Sequence, residues 1–208
     1  MRIVRQILTV FVIVILYSGF ALSQQAGDFR SAASGNWSEA ATWETFDGSS
    51  WVAATNAPTG AETISIDGTD TVRVDVAVSI SGYVKVMETG IIEVTAGSLE
   101  FTDGSTYEHA RNAGSVPVAV WQAGSNALFT GITSTAPENR GQDYGNLTLN
   151  TPGLTSNRDL SLNDHTIGGD ITVISTGTAR WQLVGGSSGT VTILGDVIVQ
   201  AGQFATQG

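Results

Sequence analysis

The chain has 208 residues, a formal net charge of −10 and no cysteine. Nine basic residues against nineteen acidic ones give no clustered basic face to attract phosphate, so nucleic acid is not expected as a partner. Without cysteine, thiol catalysis, thiolate zinc centres and iron–sulfur clusters are excluded as well.

The chain opens with MRIVRQILTVFVIVILYSGFALSQQ. Arg2 and Arg5 form a short basic head, Ile7 to Tyr17 an apolar run of eleven residues broken only by Thr9, and Ala21 and Ser23 a small-x-small cleavage signal. This order predicts a secretory signal peptide over 1–23 and a mature chain starting near Gln24. A spanning helix needs about 20 apolar residues, so no membrane insertion is expected after the leader is removed. The expected address is secreted or cell surface. Loss of Arg2 and Arg5 would move the formal charge from −10 to −12.

Residues 24–60 have a texture unlike that of the rest of the chain. They hold Trp37, Trp43, Trp51 and Phe46 in an irregular, polar context. Large rings at the start of a stacked β structure suit an N-terminal cap, because an open strand edge there would face water. The alternative is a platform on which sugar rings stack, which makes the three tryptophans candidate ligand-binding residues.

From 63 to 101 apolar and polar residues alternate with period two, as in strands with one buried face. Ile64 and Ile66 recur as Val84 and Val86 at an offset of 20, Val72 and Val74 as Ile92 and Val94 at 20, and Val78 and Ile80 as Leu99 and Phe101 at 21. The alternation also places Val76 with Val72 and Val74. Three short strands repeated at a near-constant offset predict coils of a three-sided β-helix over 61–208.

Two polar stretches interrupt this rhythm: TDGSTYEHARNAG at 102–114 and TSTAPENRGQDYG at 133–145. They are expected to be corner loops and functional protrusions. Tyr107, Glu108, His109, Arg111, Arg140 and Tyr144 are therefore further candidate ligand-binding residues. VPVAVW and NALFTGI between them read as strands of a less regular coil. Glu108, His109 and Arg111 bring together groups able to do acid–base work, but sequence neighbours are usually solvated loop charges. His165, after Asp164, reads as a turn residue. With two histidines in the chain, neither a metal site nor a cofactor is expected. The acidic turns DGTD at 67–70 and TDGS at 102–105 are read as turns rather than calcium loops.

The last third repeats at longer spacing: GNLTL at 145–149, GDITV at 169–173 and GDVIV at 195–199. The glycine permits a tight corner, and the Asn or Asp after it can bond its own backbone in the turn. Leu147 and Leu149, Ile171 and Val173, and Val197 and Val199 should stack in inward columns. The chain ends IVQAGQFATQG with no closing cap, so the solenoid is expected to continue beyond the sequence.

GNWSEAATWE, the later Trp51, a Pro-Thr-Gly turn and ETISID resemble the opening of large secreted bacterial surface proteins. VPVAVWQAGSNALFTGITSTAP, YGNLTLN and TIGGDITVIST are similar to the same group. The resemblance implies a right-handed parallel β-helix, often exported by the type nine route. A more distant similarity links the opening to the glycine-rich extracellular domain of hyaluronan-handling proteins.

The expected fold is thus an all-β, right-handed parallel β-helix with an aromatic N-terminal cap. The expected function is a non-catalytic structural or adhesive module of a secreted or surface protein. A carbohydrate-binding module is the alternative, with extracellular polysaccharide or cell-surface glycans as partners. A divergent polysaccharide hydrolase or lyase is less favoured. The paired-Asp, Gly-His-Gly and Arg-x-Lys strings of pectin-degrading β-helices do not occur, and the single Lys85 reads as outward-facing.

Overall fold

A computed structural model describes residues 24–186 and 189–207. The leader read over 1–23 lies outside them. The described chain is an all-β parallel solenoid with three faces.

The alternation that marks the strands also determines the stacking. Thr63–Ile66, Thr71–Val74 and Ala77–Ile80 make one coil, and each buries alternate residues. Tyr83–Met87, Ile91–Val94 and Ser98–Phe101 lie parallel on them, with Ile64 beside Val84, Val72 beside Ile92 and Val78 beside Leu99. The 20- and 21-residue offsets are therefore the rise of one coil. A fully buried Val, Ile or Leu contributes roughly 1.5–3 kcal/mol. Each fixed residue loses roughly 1–2 kcal/mol of backbone entropy. A single coil cannot stand alone on those terms, which is why the pattern must be repeated.

The first face carries the longest sheet. After Phe29–Ser31 it runs through Thr63–Ile66, Tyr83–Met87, Thr106–Ala110, Asn126–Phe129, Asn146–Thr151, Ile171–Thr176 and Val197–Val199, all parallel. Two columns run along it, buried as far as Ile171 and Val173; Val197 and Val199, expected to face inward with them, are in register but 45% and 47% exposed. One passes from Ile64 through Val84, Tyr107, Ala127, Leu147 and Ile171 to Val197. The other passes from Ile66 through Val86, His109, Phe129, Leu149 and Val173 to Val199.

The stretch 102–114 is thus not a protruding loop. Its centre is the strand Thr106–Ala110, and Tyr107 and His109 occupy the places that Val84 and Val86 hold one coil earlier. The stretch 133–145 contains no strand, yet Tyr144 near its end is buried. Val76 does not join Val72 and Val74 in the core; it is exposed at the corner between two strands.

The second face is broken. Gly35–Asn36, Thr71–Val74 and Ile91–Val94 form one sheet, and Arg158–Asp159, Arg180–Val184 and Gln203–Gln207 another. The two intervening coils carry no strand on that face. Rings fill the interior there. Phe101 stacks on Trp121 at 4.4 Å, Trp121 meets Tyr144 edge-on at 4.9 Å, and Phe129 lies 6.3 Å from both Tyr144 and Trp181.

At the N-terminal end, Phe29–Ser31 also pairs antiparallel with Trp43–Phe46, which pairs antiparallel with Trp51–Ala53. This hairpin ends the parallel stack. Trp37 and Trp43 are buried, 5.1 Å apart and edge-on. Their indole N–H groups donate to the Pro58 and Trp37 carbonyls at 3.2 and 2.9 Å. These two rings form the aromatic cap. Residues 29–36 already contribute strands to the first and second faces, so the coils start inside the segment that reads as cap.

The Asn and Asp of the repeats bond across coils rather than to their own turn. Asn146 Nδ2 donates to the Ser125 carbonyl, and its Oδ1 accepts from the Asp170 amide at 2.9 Å. Asp170 Oδ1 accepts from the Asp196 amide at 2.8 Å. The preceding glycine makes room: a Cβ on Gly169 would sit 2.2 Å from Asn146 Oδ1.

Candidate functional site

Three of the predicted site residues lie inside the solenoid. Tyr107, His109 and Tyr144 are interior residues, at 0%, 0% and 1% exposure, and a side chain with no surface cannot meet a ligand. Burial raises the phenol pKa of Tyr107 and Tyr144. It pushes His109 down to about 4, against the opposing pull of the Ala113 carbonyl. His109 Nε2 faces that carbonyl at 2.8 Å, and Nδ1 faces the Tyr107 hydroxyl at 3.0 Å. A neutral ring that donates from Nε2 and accepts at Nδ1 satisfies both contacts. His109 is a buried, hydrogen-bonded polar group of the core.

Trp37 and Trp43 are likewise enclosed in the cap. Arg111 turns back along the second face and donates to the Gly90 carbonyl one coil earlier. Arg140 binds Asp159, with Nη2 at 2.9 Å from Oδ1 and Nε donating to its carbonyl. Burial alone would raise Asp159, but the Ser161 hydroxyl and Arg140 hold it below its ordinary value. Both arginines tie coil to coil. His165 faces Asp143 at 3.1 Å in an exposed turn.

Trp51 and Glu108 come together with residues that composition and spacing did not single out. They line a trough of about 300 Å³ on the outer surface of the first face, at its N-terminal end. Its origin lies in the outward column, which runs Arg30, Ser65, Lys85, Glu108 across neighbouring strands. Thr63–Ile66 presents only Thr63 and Ser65 outward, whereas its neighbours present Arg30 on one side and Tyr83, Lys85 and Met87 on the other. Neighbouring strands lie about 4.8 Å apart. Long side chains therefore stand roughly two strand spacings apart over a short hydroxyl floor.

The walls are held in place. On one side the Arg30 guanidinium lies 4.7 Å above the Trp51 ring, and Phe46 lies 5.4 Å from the same ring. Arg30 also grips Glu44, with Nε and Nη2 at 2.8 and 2.7 Å from Oε2. On the other side Glu108, only 7% exposed, accepts from the Tyr83 hydroxyl and from Thr130 Oγ1 at 2.6 Å, and lies 3.3 Å from Lys85 Nζ. Burial and the Glu108 carboxylate both raise the Tyr83 pKa, so Tyr83 stays a hydrogen-bond donor. Asp67 also lines the trough; burial raises its pKa, partly offset by the Ser65 hydroxyl and the Arg30 charge.

The trough is thus a preformed concavity with one partly exposed indole, floor hydroxyls, two cations paired to carboxylates, and the Asp67 carboxyl, whose buried Oδ1 has no hydrogen-bond partner. The outward residues of successive coils carried the signal: Ser65 and Lys85 occupy the same position 20 residues apart. A short residue next to a long one in that column announces a depression.

No family model, no curated protein and no solved structure matches the chain. What the geometry defines is a parallel β-solenoid closed at one end by an antiparallel hairpin.

Proposed function

We propose that the protein is a non-catalytic structural or adhesive module, a stiff β-solenoid stalk exposed on the cell surface or secreted. One observation carries the reading. The described chain is spent on a single continuous solenoid in which the candidates Arg111 and Arg140 bond coil to coil, and Tyr107 and His109 are buried and bonded to each other and to the Ala113 carbonyl within one coil. Such a body sets distance and presents its faces. The leader-like opening and the resemblance to secreted surface proteins support the extracellular address.

Proteinase treatment of intact cells expressing an epitope-tagged chain tests the address. Loss of the tag signal without lysis is expected; a signal protected until lysis would overturn it. Incubation with a panel of plant, fungal and bacterial polysaccharides tests the second element. Release of new reducing ends, or of unsaturated ends absorbing in the ultraviolet, would show catalysis and defeat the stalk reading.

A further inference from the structure

We infer that the trough beside Trp51 binds a short stretch of a neutral polysaccharide. One sugar ring would pack on the part of the indole that Arg30 and Phe46 leave open, with hydroxyls bonded to Thr63, Ser65 and Lys85.

Four features lead to this ligand class. The volume, about 300 Å³, is at the low end for small-ligand sites, which suits one segment of a longer chain rather than an enclosed molecule. The depression lies between strands on an open face, so a polymer can enter and leave it along the trough. Its surface is mixed: Trp51 and Met87 offer apolar contact, and Thr63, Ser65, Tyr83 and Lys85 offer hydroxyl and ammonium groups. A pyranose has the same division, with C–H groups on its faces and hydroxyls round its rim. Finally, the walls are rigid before any ligand arrives, because Arg30 and Phe46 hold Trp51, and Glu108 holds Tyr83 and Lys85. Little ordering is left for binding to oppose.

Charge decides between neutral and acidic glycans. Asp28, Asp67 and Glu108 line the trough against Arg30 and Lys85. Each cation already faces a carboxylate, at 2.7 Å for Arg30 with Glu44 and 3.3 Å for Lys85 with Glu108. A uronate would find no free cation and would approach a chain of net charge −10. An uncharged polyol meets none of that repulsion and can still take hydrogen bonds from charged donors.

Titrating the chain with neutral hexasaccharides of glucose, xylose, mannose and N-acetylglucosamine, and with a hexagalacturonate, tests the proposal. Calorimetry and tryptophan fluorescence are read together. Saturable binding of at least one neutral series is expected, with a fluorescence change. The other four tryptophans, Trp37, Trp43, Trp121 and Trp181, are buried, so the change should vanish in Trp51→Ala. Affinity should fall at least about tenfold in that variant. Ser65→Tyr, which fills the floor and leaves the core untouched, should weaken binding as much. Thr172→Tyr, in the same outward column but several coils away, should bind like the parent. Three results would each overturn the proposal: no neutral series binding at millimolar concentration, binding that survives Ser65→Tyr, or binding of hexagalacturonate alone. None of them bears on whether the chain is a surface stalk, which the protease and end-group assays decide separately.

Discussion

The coils at 63–101 and those at 102–145 solve the same packing problem with different materials. In the first, Ile64, Ile66, Val72, Val74, Val84 and Val86 fill a narrow interior with strands on all three faces. In the second, the face once held by Thr71–Val74 and Ile91–Val94 has no strand, and Trp121, Tyr107, His109, Phe129 and Tyr144 occupy the interior. One column shows the transition directly, running from Ile80 to Phe101 to Trp121 on the third face. Where Tyr107 enters a column of Val and Ile, its neighbour in the next coil shrinks to Ala127. A small residue beside a large ring lets that column stay closely packed. The aromatic coils, however, bring polar atoms inside. These must find partners there, which makes this half sensitive to pH and to loss of single hydrogen bonds.

The largest expected effect tests the inward columns common to both halves. Ile171 is fully buried beside Leu147, whereas Thr172 faces outward. Ile171→Asp would bury an unpaired carboxylate and should cost about 4 kcal/mol or more, while Thr172→Asp should stay within about 0.5 kcal/mol. Urea denaturation of the pair measures both. Equal losses would mean that the register is shifted by one residue.

Next comes the contrast between fillers. Trp121→Ala removes a ring stacked on Phe101 and the indole N–H that donates to Gln142 at 3.0 Å. It should cost about 3–5 kcal/mol. Ile80→Val, in the same column of the aliphatic half, should cost about 0.5–1.5 kcal/mol. Chemical denaturation of the two variants gives the ratio; similar values would show that the aromatic interior is loosely packed.

His109 separates the halves by pH. Its pKa is lowered from 6.5 to about 4 by burial. Between these values the unfolded chain takes up a proton that the native chain refuses. Stability should therefore fall as pH drops from about 6.5 towards 4, by about 3 kcal/mol in all, and this group adds nothing above that window. The carboxylates held low, Asp47, Glu62, Asp75, Asp143 and Asp159, act at the acid end, from about pH 4.5 downwards. Their contributions are complete above their ordinary values of 4.5 and 3.8 and are lost only as pH falls below them. Thermal melts of His109→Asn should begin from a lower midpoint but lack the slope between pH 6.5 and 4. A slope that persists would place its source elsewhere.

How far the sequence foretells the molecule depends on the same division. Aliphatic alternation needs only a period of two and an offset of 20, so the strands from Thr63 to Phe101 and the later Gly-Asn and Gly-Asp coils could be read directly. TYEHA at 106–110 stands in register with YVKVM at 83–87, but its inward residues are a phenol and an imidazole, which resemble surface chemistry when read singly. Polar character hid a buried strand, and five site candidates proved to be interior or cap residues: Trp37, Trp43, Tyr107, His109 and Tyr144. The trough was hidden for the opposite reason. It consists of what the short side chains of Thr63 and Ser65 leave empty, visible only once neighbours two strands apart are known.

The smallest expected effect concerns the corner ladder that leads from the aromatic coils into the later ones. Asn126 Nδ2 donates to the Ser105 carbonyl at 3.0 Å, Asn146 Nδ2 to the Ser125 carbonyl at 3.2 Å, and Asn146 Oδ1 accepts from the Asp170 amide at 2.9 Å. From Asp170 onward the ladder has only acceptors, because a carboxylate cannot donate. Asn146→Ala would strand the Asp170 amide at a partly buried corner and should cost about 1–3 kcal/mol. Asn146→Asp keeps the acceptor and loses only the donor to Ser125, so it should cost less, about 0.5–1.5 kcal/mol. Amide hydrogen exchange distinguishes the two. Asp170 should lose protection in Asn146→Ala and keep it in Asn146→Asp, while Thr63 to Ile66 remain unchanged in both. Loss of Asp170 protection in the Asp variant as well would show that repulsion between stacked carboxylates, rather than the count of hydrogen bonds, governs the corner.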